Sequence, residues 1–141
     1  MSSLTFDHVG MLVHDIAGAR AALEPLGYDA ASPRYVDERQ GIQIVFVWRS
    51  SDPLAPRLEL VQPVRDDSVV SNLLVKTGAT PYHLCFRVAA LGPALEELHA
   101  QGFAVLGTPA PSPAFGGAEF CFLYQRNLGL VELVDAPAQV E

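Results

Sequence analysis

Lysine occurs once in this chain, at Lys76, and cysteine twice, at Cys85 and Cys121. With eight arginines added, the basic residues still fall short of the sixteen acids, and the formal charge is −7. A surface so poor in positive charge argues against non-specific nucleic-acid binding. A few local arginines could still hold a phosphate or carboxylate. Neither cysteine sits in a Cys-x-x-Cys pair, which suits a reducing cytoplasm. No apolar run approaches the roughly 20 residues that span a bilayer, so no membrane partner is expected. The start of the chain has no basic region followed by an apolar stretch, so no secretory signal is expected either. Charged residues make up only 18% of the chain and apolar ones 50%, which excludes a disordered polymer.

What is present is an internal repeat, and 141 residues suit a single compact domain containing it. A shift of 75 positions lays Phe6–Val13 on Pro81–Val88, with His8 on His83 and Val13 on Val88. The same shift lays Ile16 on Leu91, Ala19 on Ala94, Leu23 on Leu98 and Gly27 on Gly102. Further along the offset becomes 73, and Leu58-Glu59-Leu60 meets Val131-Glu132-Leu133. The expected organisation is one module over about 4–63, a connection over about 64–80 and a second module over about 81–135.

Each half reads as a strand, a helix and three more strands. Apolar residues alternate at Val9, Met11 and Val13, and again at Leu84, Phe86 and Val88. Leu91, Ala94, Leu95 and Leu98 then repeat with helical spacing, and Gly102 fits the position just past that helix. Asp15 is the expected N-cap of the first helix, which Pro25 and Gly27 end. Further strands are predicted near 29–36, 42–49 and 57–62, and near 103–107, 118–124 and 129–134. Thr108–Gly117, rich in proline and glycine, reads as a loop, and a short helix is expected around Val69–Val75. The tail after Asp135 is expected to fray.

Strand alternation places His8, Glu59, His83 and Glu132 opposite the helix-packed apolar residues. A carboxylate between apolar neighbours is costly when buried unpaired, and two converging carboxylates repel. A divalent cation resolves both problems, and two neutral imidazoles complete a borderline donor set. A single strand histidine is more often structural than a ligand. The pairing of an early His with a late Glu in both halves favours the metal.

Several other residues have quieter explanations. His14 and His99 are expected in solvent, and Cys85 either lines the cavity or fills the core. Phe46 and Trp48 are expected to pack rather than stack on a substrate. Phe115-Gly116-Gly117 reads as a flap or a plain turn. Arg57, Arg65, Lys76 and Arg126 are solvated by default, with a phosphate-bearing ligand as the alternative.

Asp7-His-Val-Gly10, Leu58-Glu-Leu-Val-Gln-Pro63, Tyr82-His-Leu-Cys-Phe-Arg-Val88 and Leu130-Val-Glu-Leu133 resemble the strand motifs of the vicinal oxygen chelate (glyoxalase, bleomycin resistance and dioxygenase) superfamily. Asp66–Leu74, followed by Gly78 and His83, is similar to the middle segment of the methylmalonyl-CoA epimerase family. The resemblance implies an α+β fold of paired βαβββ modules forming an open, cupped sheet around a metal. It implies metal ligands at His8, Glu59, His83 and Glu132, with cobalt, manganese, nickel or zinc as the ion, and an expected homodimer. The implied activity is epimerisation or isomerisation through an enolate, on methylmalonyl-CoA or a related coenzyme A thioester. A glyoxalase-type reaction on a thiol conjugate is the alternative, and non-catalytic drug binding a further one. A ring-cleaving dioxygenase would leave Glu59 unexplained.

Glu132 is the expected base, loosening from the metal. The position that carries a second carboxylate in the bacterial epimerases is Ile44 here, and Glu119, its partner at a shift of 75, is the candidate replacement. Glu119 as a solvated strand-start residue is the competing reading. The family's histidine doublet is here Tyr82-His83, and its His-Pro near the last hairpin is Tyr124-Gln125.

Overall fold

The computed structural model describes residues 3–137, which contain nine strands and three α-helices. They divide into two compact units, residues 8–82 and residues 3–7 with 83–137. No described helix is long and apolar enough to cross a membrane.

In the first unit, strand β1 (Leu4–Leu12, entering this unit at His8) leads to helix α1 (Ile16–Leu23). Strands β2 (Ala30–Ala31), β3 (Tyr35–Asp37), β4 (Ile42–Trp48) and β5 (Arg57–Pro63) follow, then helix α2 (Ser71–Thr77). The sheet order is β2-β4-β5-β1, with β3 also on β4. β1 and β5 are parallel and β4 is antiparallel to β5. Asp15 caps α1 as expected, its carboxylate accepting from the Gly18 N–H at 2.8 Å. Pro25 turns the chain into a 3-10 turn, Glu24–Leu26, and Gly27 follows at φ 93°. The positive φ is what favours glycine at Gly27; a Cβ there would also stand 2.8 Å from Nε of the Arg49 side chain, which would have to shift. Val13, Ile16, Val45, Val47 and Leu60 form the core between α1 and one face of the sheet.

In the second unit, strand β6 (Thr80–Val88) leads to helix α3 (Leu91–Ala100), and strands β7 (Ala104–Pro111), β8 (Glu119–Gln125) and β9 (Gly129–Asp135) follow. The order is β6-β9-β8-β7, again with one parallel pair, β6 with β9. Val88, Leu91, Ala94, Leu95, Cys121, Leu123, Val131 and Leu133 are the core under α3. Asp7 and Arg87 tie the start of β1 to β6 through a 2.6 Å ion pair with side chains 2% and 11% exposed. Phe6 and Phe86 pack beside it, ring centroids 5.3 Å apart.

The two units repeat even in how their helices begin. The Ile16 N–H donates to Gln62 Oε1 at 3.0 Å, and the Leu91 N–H donates to Asp135 Oδ2 at 3.4 Å. Gln62 and Asp135 are themselves related by the 73-residue offset. Each helix start is therefore satisfied from the end of the strand that runs parallel to its own leading strand.

Three expectations need correction. The strand predicted over 29–36 is two strands, because Pro33 has no N–H to offer the ladder. The Phe46 N–H is met there by the Ser32 hydroxyl instead. The loop predicted over Thr108–Gly117 is strand as far as Pro111, with Ala110 opposite Phe120. β7 ends the strand order, and an edge strand tolerates Pro109 and Pro111. Its pairing slips between Leu106 and Ala110, the counterpart of the break at Pro33. The helix expected near Val69–Val75 begins at Ser71, because Ser68 and Val69 hold the 37–41 turn through the carbonyl of Gln40.

Candidate functional site

Gly10 lies opposite Glu59 in the β1–β5 pair, and Cys85 opposite Glu132 in the β6–β9 pair. Each glutamate thus faces the position two beyond a histidine. Residues in register share a face, and the side-chain period of two puts each histidine on it as well. His8 Nε2 is 3.5 Å from Glu59 Oε1, and His83 Nε2 is 3.2 Å from Glu132 Oε1. All four residues are buried, and each offers one donor atom to a metal.

An aromatic ring holds each imidazole. Phe46 lies opposite Glu59 on β4, and its ring meets His8 edge to face at 5.3 Å. Phe122 lies opposite Glu132 on β8, and its ring meets His83 edge to face at 5.2 Å. Phe46 and Phe122 are 76 positions apart, one more than the shift that aligns the histidines. That slip hid the correspondence in the sequence. A histidine-ring contact fixes the imidazole's orientation without occupying a nitrogen.

The donor chemistry fits a divalent metal. Two ligands at about 2.1 Å from one ion stand roughly 3.0 Å apart at a right angle and about 3.4 Å apart at the tetrahedral angle. The observed 3.2 and 3.5 Å match that spacing and exceed the roughly 2.7–2.9 Å of a charge-assisted hydrogen bond. Within either unit, one imidazole and one carboxylate thus stand at the spacing of neighbouring ligands.

Glu119 sits apart from this arrangement. It opens β8, exposed, on the same face as Cys121 and Leu123, which belong to the core under α3. Phe120 and Phe122 occupy the opposite face, with His83 and Glu132. The register also corrects the alignment. Phe120 lies opposite Val134 as Ile44 lies opposite Val61, so Glu119 corresponds to Gln43 and not to Ile44. Ile44 is buried on the Phe46 face and brings no carboxylate there. Asp37, which the sequence reading passed over, is 2% exposed on that face. It accepts from the Gln40 backbone N–H and from Gln40 Nε2, which makes it the organiser of the 37–41 turn.

The remaining candidates divide clearly. His14 and His99 are exposed, as expected. Cys85 shares the His83 face yet packs with Phe120, Val134 and Ala136 as a small core residue. Burial pushes the Cys121 thiol above its ordinary value. Phe115 belongs to a 3-10 turn, Pro113–Phe115, and packs on the Cys85 cluster with the Arg87 guanidinium 5.1 Å from its ring. Lys76 and Arg126 are exposed, and Arg65 bonds Asp67 and the Glu38 carbonyl. Arg57 departs from expectation. It is half-buried, with its guanidinium 3.7 Å from the centroid of the Phe46 ring.

The sequence profile of the Glyoxalase/Bleomycin resistance protein/Dioxygenase superfamily matches residues 7–122. The chain belongs to this superfamily. Among solved structures it is similar to a point variant of methylmalonyl-CoA epimerase from Streptomyces coelicolor in complex with 2-nitronate-propionyl-CoA. The identity there is 28%, the TM-score 0.81, and the match covers 96% of this chain and 100% of that one. It is also similar to methylmalonyl-CoA epimerase from Mycobacterium tuberculosis, at 25% identity and TM-score 0.80, over 94% and 89% of the two chains. An uncharacterised Bacillus subtilis protein, YqjC, is 28% identical over 131 residues, 92% of this chain and 90% of its own.

Proposed function

We propose that the chain is a metal-dependent isomerase that moves the proton on the carbon alpha to the carbonyl of an acyl thioester, with His8, Glu59, His83 and Glu132 as ligands of one divalent ion. The duplicated His–Glu pair, with donor spacings of neighbouring ligands, carries the reading. The likeness to methylmalonyl-CoA epimerase over nearly the full chain supports the substrate class. Cobalt, manganese, nickel and zinc all suit a set of two imidazoles and two carboxylates.

When bound, the ion acts as a Lewis acid toward the charge that develops on the carbonyl oxygen as the α-proton leaves. This chain supplies the rest. The Glu132 carboxylate takes the α-proton and later returns it to carbon. Phe122 and Phe46 hold the two imidazoles in orientation. Cys85, Phe120 and Val134 line the Glu132 side with apolar surface, which keeps water from competing for the proton. One carboxylate base accounts for exchange of the α-proton with solvent. Inversion requires, in addition, a proton donor on the opposite face of the planar carbanion.

A glyoxalase-type isomerisation of a thiol conjugate is the second reading, favoured by Glu59 at a position where epimerases often carry Gln. The test is proton NMR of methylmalonyl-CoA in heavy water with manganese-loaded or cobalt-loaded protein. Loss of the α-proton signal at an enzymatic rate is expected. A stable signal, beside turnover of a hemithioacetal of methylglyoxal, would move the activity to the second reading.

A further inference from the structure

Within the second unit, two rows of side chains cross the ligand-bearing face of the sheet. Tyr124, Leu130 and His83 lie in register across β8, β9 and β6. Leu106, Phe122 and Glu132 lie in register across β7, β8 and β9. Exposure falls along both rows. It is 44% at Tyr124 and 45% at Leu106, Leu130 and Phe122 are half-buried, and His83 and Glu132 are 4% and 6% exposed. The opposite face of the same strands is closed. Val105, Leu123 and Val131 pack there under α3, and Leu123 is 0% exposed. An isolated exposed leucine needs no explanation. Here two exposed apolar side chains stand beside two half-buried ones, and the series ends at a buried carboxylate.

We propose that this shelf binds an extended apolar acyl chain and so sets the thioester's chain length. The proposal rests on the reading of the preceding subsection, in which Glu132 takes the α-proton, and adds the chain attached to that carbon. From β9 to β7 is two strand spacings, roughly 9–10 Å. A saturated chain of about eight carbons, with bonds of about 1.5 Å, covers that distance. Outward of the His–Glu pair the Tyr124 hydroxyl is the one polar group in either row. The surface therefore suits hydrocarbon and offers little to the polar pantetheine arm. Because the shelf ends on the proposed base, it selects a small molecule whose reacting carbon and apolar chain are joined, over a second copy of the chain.

The experiment is calorimetry of acetyl-, butanoyl-, hexanoyl- and octanoyl-pantetheine on the full chain, with manganese and again with chelator. The readout is the slope of affinity against chain length. Wild-type affinity should rise about 2- to 4-fold per methylene. Leu106→Glu and Tyr124→Gln, both at exposed positions, should each flatten the slope and leave acetyl-pantetheine binding unchanged. Octanoyl-pantetheine should then bind at least about 10-fold more weakly than to the wild type. Val75→Glu, at a site 85% exposed in the other unit, should keep the wild-type slope. A flat wild-type series, an unchanged slope in both shelf variants, or an equal loss of slope in Val75→Glu would overturn the proposal. So would loss of self-association in the shelf variants with the slope intact, which would give the face to a second copy. Failure of α-proton exchange with the slope intact would remove the isomerase reading and leave the acyl-chain site.

Discussion

Taking a carboxylate out of water costs several kcal/mol unless a charge or a set of donors compensates. Glu59 and Glu132 are 5% and 6% exposed, with His8 Nε2 and His83 Nε2 at 3.5 and 3.2 Å from their carboxylates. That arrangement makes sense around a cation. Glu119 has no such surroundings, and Glu119→Gln is expected to keep both the metal and the turnover of the wild type. A drop of 100-fold or more in kcat with metal retained would restore it as a base. The four ligand candidates were legible in the sequence, because a polar residue between apolar strand neighbours declares its face. Phe46 and Phe122 were not legible as partners, because a one-residue slip separates the offset of the rings from that of the histidines. The misassignment of Glu119 to Ile44 has the same cause, since one residue along a strand is a change of face.

At the scale of elements, the leading strand of each unit and the strand parallel to it carry the four candidate ligands, and the helix between them fixes their face. Capping and stop signals at Asp15, Gly27 and Gly102 marked the helices in advance. Proline misled twice, through Pro33 inside a predicted strand and Pro109 inside a predicted loop, because its effect depends on whether the strand is an edge. The Asp7–Arg87 pair joins residues 80 apart and left no local signal. Arg87 also donates to the Pro137 carbonyl, so the pair holds both ends of the second unit. Asp7→Ala leaves a nearly buried guanidinium uncompensated and is expected to cost about 3–5 kcal/mol in urea unfolding. A loss under 1 kcal/mol would mean that the pair is incidental.

At the scale of the whole molecule, the repeat explains how one chain comes to own two imidazoles and two carboxylates, one of each in either unit. The hydrophobic pattern revealed the scaffold because both units bury one sheet face under one helix. It was silent on Arg57, whose place on the Phe46 ring follows from the pairing of β4 with β5. The central claim is that two equivalent pairs serve a single ion. Its most direct test is metal stoichiometry by mass spectrometry of protein loaded with manganese, cobalt, nickel or zinc, with His8→Ala and His83→Ala beside the wild type. One ion per chain, with affinity reduced by more than 100-fold in both variants, is the predicted result. Two ions per chain, none, or a full complement in either variant would contradict it.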